Sequence, residues 1–329
     1  MLKSWVKLTR CAAKLIVCAI RLGIWMLISA PLRVIMMEIQ ATHRLPRLLI
    51  NQPLHIEQPA SGLSQPRAIG TGKLSVYGDE SGRTRLRNLR QSGSLKLVFP
   101  KTHRPDAEVI LVNTAGGITG GDTFSLNIEV QTGGALSLTT QAAERAYRAQ
   151  IDEIGRVTTD ITVHDGASLN WLPQELILFD GCALRRRLLI DLHPQARLLM
   201  VESVVFGRAA MPEVLRDVRF QDRIRITREG APLYVDGVDL RGDATAHLAR
   251  PAIAGGAGAM ASVVMVSPDA AAHLKPVHAL LSETAGASML AEDVLVIRQL
   301  AIDSFELRRT LIPILKHLTQ NTLPTSWRL

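Results

Sequence analysis

The feature that most constrains the fold is a strand–turn–strand unit that recurs along the middle of the chain. It occurs three times, as IEVQTGGALSLTTQ at 128–141, ITVHDGASLNWLPQ at 161–174 and IDLHPQARLLMVES at 190–203. Ala135, Ala167 and Ala196 mark apparently equivalent positions after each turn. Units of nearly constant length that each supply two strands bury their apolar faces by stacking on one another. The repeat therefore predicts a solenoid or β-helix.

The remainder of the body has the composition of strands, with two helical exceptions. Runs such as AEVILVN, DRIRITR and APLYVDG are rich in Val, Ile, Leu and Thr and are bounded by Gly, Asp or Pro, which is typical of strands. A weaker echo of the repeat, TAGASMLAEDVLVI, occupies 284–297. Helical periodicity is clear at 303–320, where acidic residues come first and Lys and His last, and a second candidate is 268–281. We predict a mainly β fold with about two α-helices, one near the C-terminus.

The charge of the chain lies mostly in its first fifth. Of the formal net charge of +8, residues 1–66 carry +6, which leaves +2 for residues 67–329. A nearly neutral body lacks the electrostatic footprint of a polyanion-binding protein, so we predict no nucleic-acid partner. Cysteines number three, too few for a disulfide framework, which favours a reducing, cytoplasmic location. Cys182 is predicted to be a small buried hydrophobe.

Residues 1–66 are predicted to be an extension separate from the body. Residues 11–37 are apolar but interrupted by Lys14, Arg21 and Arg33. Their longest charge-free run is about half of the ~20 residues that a membrane-spanning helix needs. Three interpretations remain. The segment could be a basic amphipathic helix on a membrane surface or a poor signal peptide, or the sequence could begin upstream of the true translation start, which would then be Met36 or Met37. We favour the last, and membrane association through residues 1–37 remains an alternative.

A glycine-rich stretch, NTAGGITGGD at 113–122, poses the question of what approaches it so closely. Its glycines are Gly116, Gly117, Gly120 and Gly121. The spacing almost matches a phosphate-binding loop, but Asp122 occupies the position of the lysine and a strand follows instead of a helix. We predict a hairpin-like turn with Asp122 bonded to the loop backbone. Four glycines exceed the need of one turn, so close approach by another segment stays open.

Motifs that would identify an enzyme are missing from the sequence. It contains no H-x-H or H-x-x-x-H pair, no Cys/His cluster and no G-x-S-x-G or H-E-x-x-H motif, so neither a zinc site nor a hydrolase nucleophile is predicted. Glu175 and Asp180 could form a carboxylate pair, but their odd separation places them on opposite faces of a strand. The basic run Arg185, Arg186 and Arg187 is predicted to be a solvated face. We predict that the chain is not an enzyme.

Four segments, taken in order, resemble the UreD (UreH) family of urease accessory proteins. They are NTAGGITGGD, LTTQAAERAYR at 138–148, WLPQELILFDGCALRRRLLIDL at 171–192 and LMVESVVFGRAAMPE at 199–213. The closing LPTSWRL is similar to the L-P-R-x-W end of the family. The likeness covers about residues 67–329. Besides the four glycines, the positions that match family motifs are Tyr147, Pro173, Gln174, Gly207 and Arg208.

The resemblance implies a non-enzymatic scaffold in urease maturation. It implies a β fold wound in a helical topology that binds UreF, which recruits the GTPase UreG, in a dimeric assembly that docks on apo-urease and enables nickel insertion. No cofactor is expected to be bound permanently, but transient Ni²⁺ is, because carboxylate and amide oxygens hold it weakly. The helix at 303–320 is a candidate docking element for UreF. Positions that match a proposed nickel passage are Asp122, Gln141, Glu144, Glu175, Asp180 and Glu202.

Two other interpretations remain at this point. Each candidate passage residue could instead cap a turn or pair with Arg145, Arg148 or Arg208. The whole chain could instead be a β-solenoid enzyme acting on a glycan through Glu175 and Asp180. Such an enzyme needs a groove with exposed aromatic side chains, and the three Tyr and four Trp of the sequence argue against it.

Overall fold

The computed structural model describes residues 65–211 and 213–327. The expectations for a membrane-surface helix, a signal peptide or a late start fall outside these residues. Within them, no helix is both long and apolar enough to cross a membrane. The helices are α1 (Ala244–Leu248), α2 (Ala270–His278) and α3 (Ser304–Leu318), followed by a 3₁₀ turn at Thr325–Trp327.

The described residues form seventeen strands in two main sheets. The strands are β1 (Ile69–Gly78), β2 (Thr84–Gly93), β3 (Leu95–Val98), β4 (Ala107–Asn113), β5 (Thr123–Val130), β6 (Ala135–Thr140), β7 (Glu144–Ala146), β8 (Gly155–Val163), β9 (Ser168–Leu172), β10 (Leu176–Leu178), β11 (Ala183–Leu192), β12 (Arg197–Phe206), β13 (Val218–Arg228), β14 (Ala231–Gly242), β15 (Ala259–Val266), β16 (Ala285–Ala291) and β17 (Val294–Ala301).

From β5 to β13 the long strands alternate between the two sheets, which confirms the solenoid prediction. The first sheet has the order β14-β13-β11-β8-β5-β1-β2, and the second has β16-β17-β15-β12-β9-β6-β4-β3. Within them β5, β8 and β11 pair in parallel, as do β6, β9 and β12. Each repeat unit therefore supplies one strand to each sheet, and about four turns stack. Antiparallel strands cover the ends of both sheets.

In the first turn of the repeat, the residue equivalent to Ala167 and Ala196 lies one position earlier than the sequence predicted. The N–H groups of Gly134, Ala167 and Ala196 each donate to the carbonyl oxygen three residues earlier. Ala135 pairs instead with Ser168. Gly134 is thus the counterpart of the two alanines, and Ala135 was assigned wrongly. All three turns have the same length, with four residues after Val130, Val163 and Leu192, and an apparent extra residue in the first turn arises only when the alanines are aligned by residue type.

The echo at 284–297 is not a turn of the solenoid. Strands β16 and β17 pair antiparallel with each other at the edge of the second sheet. They form a hairpin, so the prediction of a further unit there was wrong. Alternating apolar residues around a tight turn look the same in sequence whether the second strand returns in the same sheet or crosses to the other.

Apolar side chains fill the space between the sheets and the space beneath the helices. The first core contains inward-facing residues such as Leu126, Leu138 and Leu169, and the second lies between the second sheet and α2 and α3. Asp303 caps α3 by accepting the N–H of Glu306 at 2.8 Å. Both predicted helices are confirmed, and α1 was missed because five residues are too few for a periodic pattern.

Trp327 locks the C-terminal segment onto the second sheet. Its side chain is fully buried, its Nε1 donates to the carbonyl oxygen of Leu172 at 2.9 Å, and the Arg308 guanidinium lies 5.2 Å from its ring centroid. One indole therefore joins the chain end, α3 and the end of β9.

Truncating this anchor should be costly. We expect Trp327→Ala to lower the free energy of unfolding by about 3–5 kcal/mol, because it leaves a large cavity in the second core. Trp327→Phe should cost less, since it keeps most of the apolar contact. Phe305→Ala, at a side chain that is 70% exposed, is the matched control and should change the value by about 0.5 kcal/mol or less. Urea denaturation followed by circular dichroism measures all three, and equal losses for Trp327→Ala and the control would contradict the anchor.

Candidate functional site

The glycine-rich loop crosses from one sheet to the other and is packed against the segment that follows β6. It connects β4 in the second sheet to β5 in the first, so the prediction of a hairpin-like turn was wrong. Ile118 and Tyr147 are bridged by backbone hydrogen bonds, from Tyr147 N to Ile118 O and from Ile118 N to Arg145 O, both 2.7 Å. The close approach predicted from the glycines is therefore made by residues 145–153 of the same chain.

Two of the four glycines are required because a Cβ would clash at this contact, and the other two because their backbone has a positive φ. A Cβ at Gly117 would overlap the Tyr147 ring, and one at Gly120 would lie 2.6 Å from the Cβ of Glu153. Gly116 and Gly121 have φ values of 78° and 83°, where residues with a Cβ are strained.

Asp122 organises the same loop from a buried position. Its carboxylate accepts the N–H groups of Ala68 and Thr119, each at 2.8 Å, and only 4% of the residue is exposed. The predicted bonding of Asp122 to the loop backbone is confirmed. Its two oxygens are engaged by the backbone and it does not line the cavity described below.

The WLPQE segment forms a corner that ties consecutive turns together. Strand β9 ends at Leu172, and after Pro173 the chain enters β10, which pairs with β7 and β12. The amide of Gln174 donates to the carbonyl oxygens of Thr140 and Gln141, both at 3.2 Å. Glu175 is 2% exposed and accepts from Arg308 of α3 at 3.0 Å. Gln174 and Glu175 therefore hold this corner against the preceding turn and α3, respectively.

The other motif residues meet on the surface beside the loop. The rings of Tyr147 and Phe179 meet edge to face at 4.9 Å, and the Arg208 guanidinium lies 4.5 Å above the Phe179 ring. Arg208 also pairs with Glu213 at 2.9 Å, and Gly207 has a φ of 82°. Parts of all four sequence segments thus lie along one edge of the solenoid, where the chain crosses from the second sheet to the first.

Asp180 belongs to this surface cluster and is fully engaged. It accepts the N–H groups of Arg216 at 2.7 Å and Asp217 at 3.0 Å, and Arg148 pairs with it at 2.6 Å. Burial alone would raise the pKa of Asp180, but these hydrogen bonds outweigh it and the pKa lies below its usual value. Because Glu175 and Asp180 are bound by different arginines, the structure gives no support to a glycan-cleaving pair.

Between the two sheets lies a cavity of about 230 Å³. Apolar walls come from residues such as Leu126 and Leu188, and polar groups project from both sheets. Three of the six candidate passage residues line it, namely Gln141, Glu144 and Glu202, whereas Asp122, Glu175 and Asp180 do not. The sequence analysis missed the other polar lining groups, among them Asn113 and Arg186.

Glu144 is the more exposed of the two carboxylates that line this cavity, and Gln141, another lining residue, is exposed. Glu144 accepts from the Asn113 amide and from the N–H of Arg145, both at 3.0 Å. Burial raises the pKa of Glu144 above its ordinary value, and these two donors offset the effect only partly. A carboxylate that is costly to ionise is stabilised by any cation that reaches it.

Deeper in, Glu202 belongs to a buried ionic network that spans the two sheets. It accepts from Trp171 Nε1 at 2.8 Å and pairs with Arg186 at 2.7 Å, and Arg186 also pairs with Asp222 at 2.5 Å. Burial raises the pKa of Glu202 despite the arginine. Burial also opposes the charge on Arg186, but the carboxylates of Asp222 and Glu202 outweigh it and raise its pKa.

The solvated face predicted for the three arginines is therefore wrong at its middle residue. Arg185 and Arg187 are exposed, but Arg186 points between the sheets because side chains alternate along β11. The signal was present in the sequence, since Arg186 falls in the same alternating series as the buried Leu184, Leu188 and Ile190.

No preformed metal site exists among residues 65–211 and 213–327, because they contain no group of three or more His, Cys, Asp or Glu side chains arranged to hold a metal. Cys182 is 1% exposed, and burial raises the pKa of its thiol to about 12, which confirms it as a buried hydrophobe. The carboxylates Glu144 and Glu202 in the cavity wall are therefore not part of a preformed metal site within the described residues.

The chain is similar to known proteins over most of its length. Residues 70–328 match the family model for the UreD urease accessory protein. The chain is 52% identical to a urease accessory protein UreD from Ruegeria pomeroyi, over 74% of this chain and 94% of that protein. It is 49% identical to one from Roseobacter denitrificans, over 82% and 98% of the two chains. The chain belongs to the UreD family. It is also 41% identical to UreD 1 from Brucella ovis, over 81% and 96%.

The contact between the loop and Tyr147 can be tested by adding one methyl group. We expect Gly117→Ala to lower the free energy of unfolding by about 1–3 kcal/mol, because the new Cβ overlaps the Tyr147 ring. The Tyr147→Ala background should remove most of that loss, as a double-mutant cycle in urea would show. Gly286→Ala, where nothing lies within 4 Å of the new Cβ, is the control. An unchanged loss in the Tyr147→Ala background would rule out this contact.

The buried network predicts a pH-dependent loss of stability. Arg186→Met should cost about 3–5 kcal/mol at pH 7, because Glu202 and Asp222 are left as buried charges without a counter-ion. The cost should shrink as the pH falls toward 5, since protonation of Glu202, whose folded pKa is already raised, removes that charge. Arg187→Met, which breaks only the exposed pair with Asp160, should cost about 0–1 kcal/mol. Urea titrations at both pH values compare them, and a pH-independent cost would contradict the network.

Proposed function

We propose that this chain is the non-catalytic scaffold on which UreF and UreG assemble, and that the complex docks on apo-urease and lets nickel pass into the dinickel site. The observation that carries the proposal is the cavity between the sheets, with Gln141, Glu144 and Glu202 in its wall. The membership of the UreD family supports the role in urease maturation, and nickel is cargo here, not a resident cofactor.

The chemistry of the lining suits transport better than storage. Carboxylate and amide oxygens are weak ligands for Ni²⁺ compared with imidazole and thiolate, and no three His, Cys, Asp or Glu side chains of the described residues are grouped to hold a metal ion. Arg186 balances part of the charge of Glu202, so the deeper carboxylate holds a cation less firmly. A series of weak sites along the passage allows an ion both to enter and to leave.

The pKa of Glu144 makes this passage sensitive to pH. Because burial raises that pKa, protons compete with nickel for the carboxylate over a higher pH range than for an exposed glutamate. Nickel occupancy at Glu144 is therefore expected to fall as the pH is lowered through the raised pKa.

A docking position for UreF is supported by the exposed start of α3. The helix buries Leu307, Leu311 and Ile314 against the second sheet, yet Ile302 is 74% exposed and Phe305 70% exposed. Two adjacent large apolar side chains on the surface are typical of an interface. We place UreF on this end of α3 as part of the same proposal.

The proposal is tested by reconstituting urease activation. Apo-urease, UreF, UreG and nickel are combined with the full chain carrying Glu144→Gln, with Glu283→Gln at an exposed site as control. We expect Glu144→Gln to reduce the urease activity formed by roughly tenfold, since a carboxylate that meets the cation is lost, while UreF and UreG still co-purify. Full activity with Glu144→Gln would reject the passage but keep the scaffold. Failure of UreF and UreG to co-purify with the wild-type chain would reject the scaffold itself.

A further inference from the structure

The outer face of the first sheet carries a concentration of arginines that the cavity does not explain. On the adjacent strands β8, β11 and β13 the outward residues include six arginines but only two acidic side chains, Asp160 and Asp191. The arginines are Arg156, Arg185, Arg187, Arg219, Arg223 and Arg225. All six are exposed. We call this surface the arginine face.

Most of this charge is uncompensated within the described chain. Arg187 pairs with Asp160 at 3.1 Å and Arg223 with Asp239 at 3.5 Å. In contrast, Arg156, Arg185, Arg219 and Arg225 form no ion pair with any described residue. Arg156 and Arg185 are also register partners on neighbouring parallel strands, so two like charges stand side by side about 5 Å apart at the backbone.

The residue types on this face indicate what it binds. Strands β8, β11, β13 and β14 contain no lysine, and their aromatic side chains, Phe220 and Tyr234, are buried. Arginine is enriched and lysine depleted at protein interfaces. The planar guanidinium group of arginine can bind a carboxylate through two parallel hydrogen bonds. Single-stranded nucleic acid would require exposed aromatic rings for stacking. Leu189 and the 66% exposed Val235 provide apolar contacts beside the charges.

We propose that the arginine face is a docking surface for a protein partner with an acidic, carboxylate-rich surface. Partner carboxylates would pair with the four uncompensated guanidinium groups and relieve the repulsion between Arg156 and Arg185. The surface lies on the outside of the sheet whose inner side borders the cavity, and it is separate from the exposed end of α3. The proposal therefore does not depend on the nickel passage.

The test measures binding of a defined acidic probe to the full-length chain. A fluorescein-labelled peptide of ten glutamates is titrated by anisotropy at about 50 mM salt, where Debye screening is weak. We expect Arg185→Glu/Arg225→Glu to raise the Kd at least about tenfold, because each reversal replaces attraction by repulsion. Arg185→Gln/Arg225→Gln should give an intermediate loss. Thermal unfolding of each variant confirms that it is folded.

A matched control distinguishes this face from general positive charge. Arg87→Glu/Arg90→Glu on the exposed edge strand β2 changes the net charge equally and should shift the Kd by less than about twofold. Equal losses for both reversals would overturn the proposal. A ten-nucleotide oligouridine, or vesicles containing phosphatidylserine, that bound the face more tightly than the peptide would overturn it in favour of a phosphate ligand. Because the substituted arginines belong only to this face, either result leaves the scaffold proposal untouched.

Discussion

In-register parallel pairing between successive turns is the constraint on which the rest of the molecule depends. Leu136, Leu169 and Leu198 occupy one register position in neighbouring strands of the second sheet, and all three are buried. A slip of one residue would turn every such side chain outward. The turns that precede these strands are of equal length, with four residues after Val130, Val163 and Leu192, which keeps the strands in register. Gly134 fits the first of these turns because it lacks a Cβ, which would lie 2.9 Å from the carbonyl oxygen of Gln131.

The same stacking explains why the cavity and the ionic network occur together. Apolar side chains interdigitate elsewhere between the sheets, but Arg186, Glu202 and Asp222 fill inward positions with groups that must keep their hydrogen-bonding geometry. Charged groups cannot repack to close a void in the way that leucines do, because each atom is tied to a partner. The cavity is bordered by Arg186 and Glu202. We infer that the network preserves the open space, at a cost in stability that a purely apolar core would avoid.

Much of the fold was predictable because its signals are local. Strand composition, the repeated unit and the capped helix at 303–320 depend on residues close in sequence, and the structure confirms them. The inward orientation of Arg186 was also available locally, from its place in the alternating series of β11, and was overlooked. Two features could not be obtained in this way. The hairpin of β16 and β17 depends on which sheet receives the second strand, and the cavity depends on residues from both sheets. Of the six candidate passage residues, Gln141, Glu144 and Glu202 line that cavity, but the sequence analysis could not separate them from Asp122, Glu175 and Asp180, which bond to backbone or arginine partners elsewhere.

Because side chains alternate along a strand, a single strand can supply charged groups to two different surfaces, which the net charge of the chain does not reveal. The three consecutive arginines of β11 serve two different surfaces, since Arg186 enters the network beside the cavity while Arg185 and Arg187 belong to the arginine face. A body with a net charge of only +2 can nevertheless present a strongly basic sheet, because its acidic residues are distributed over other surfaces and into buried pairs. Substitutions at neighbouring positions of β11 should therefore have unrelated effects. A change at Arg186 acts on stability and its pH dependence, whereas a change at Arg185 acts on association and its salt dependence. The proposed binding on the outside and the proposed passage on the inside can then vary independently, although one strand carries residues of both.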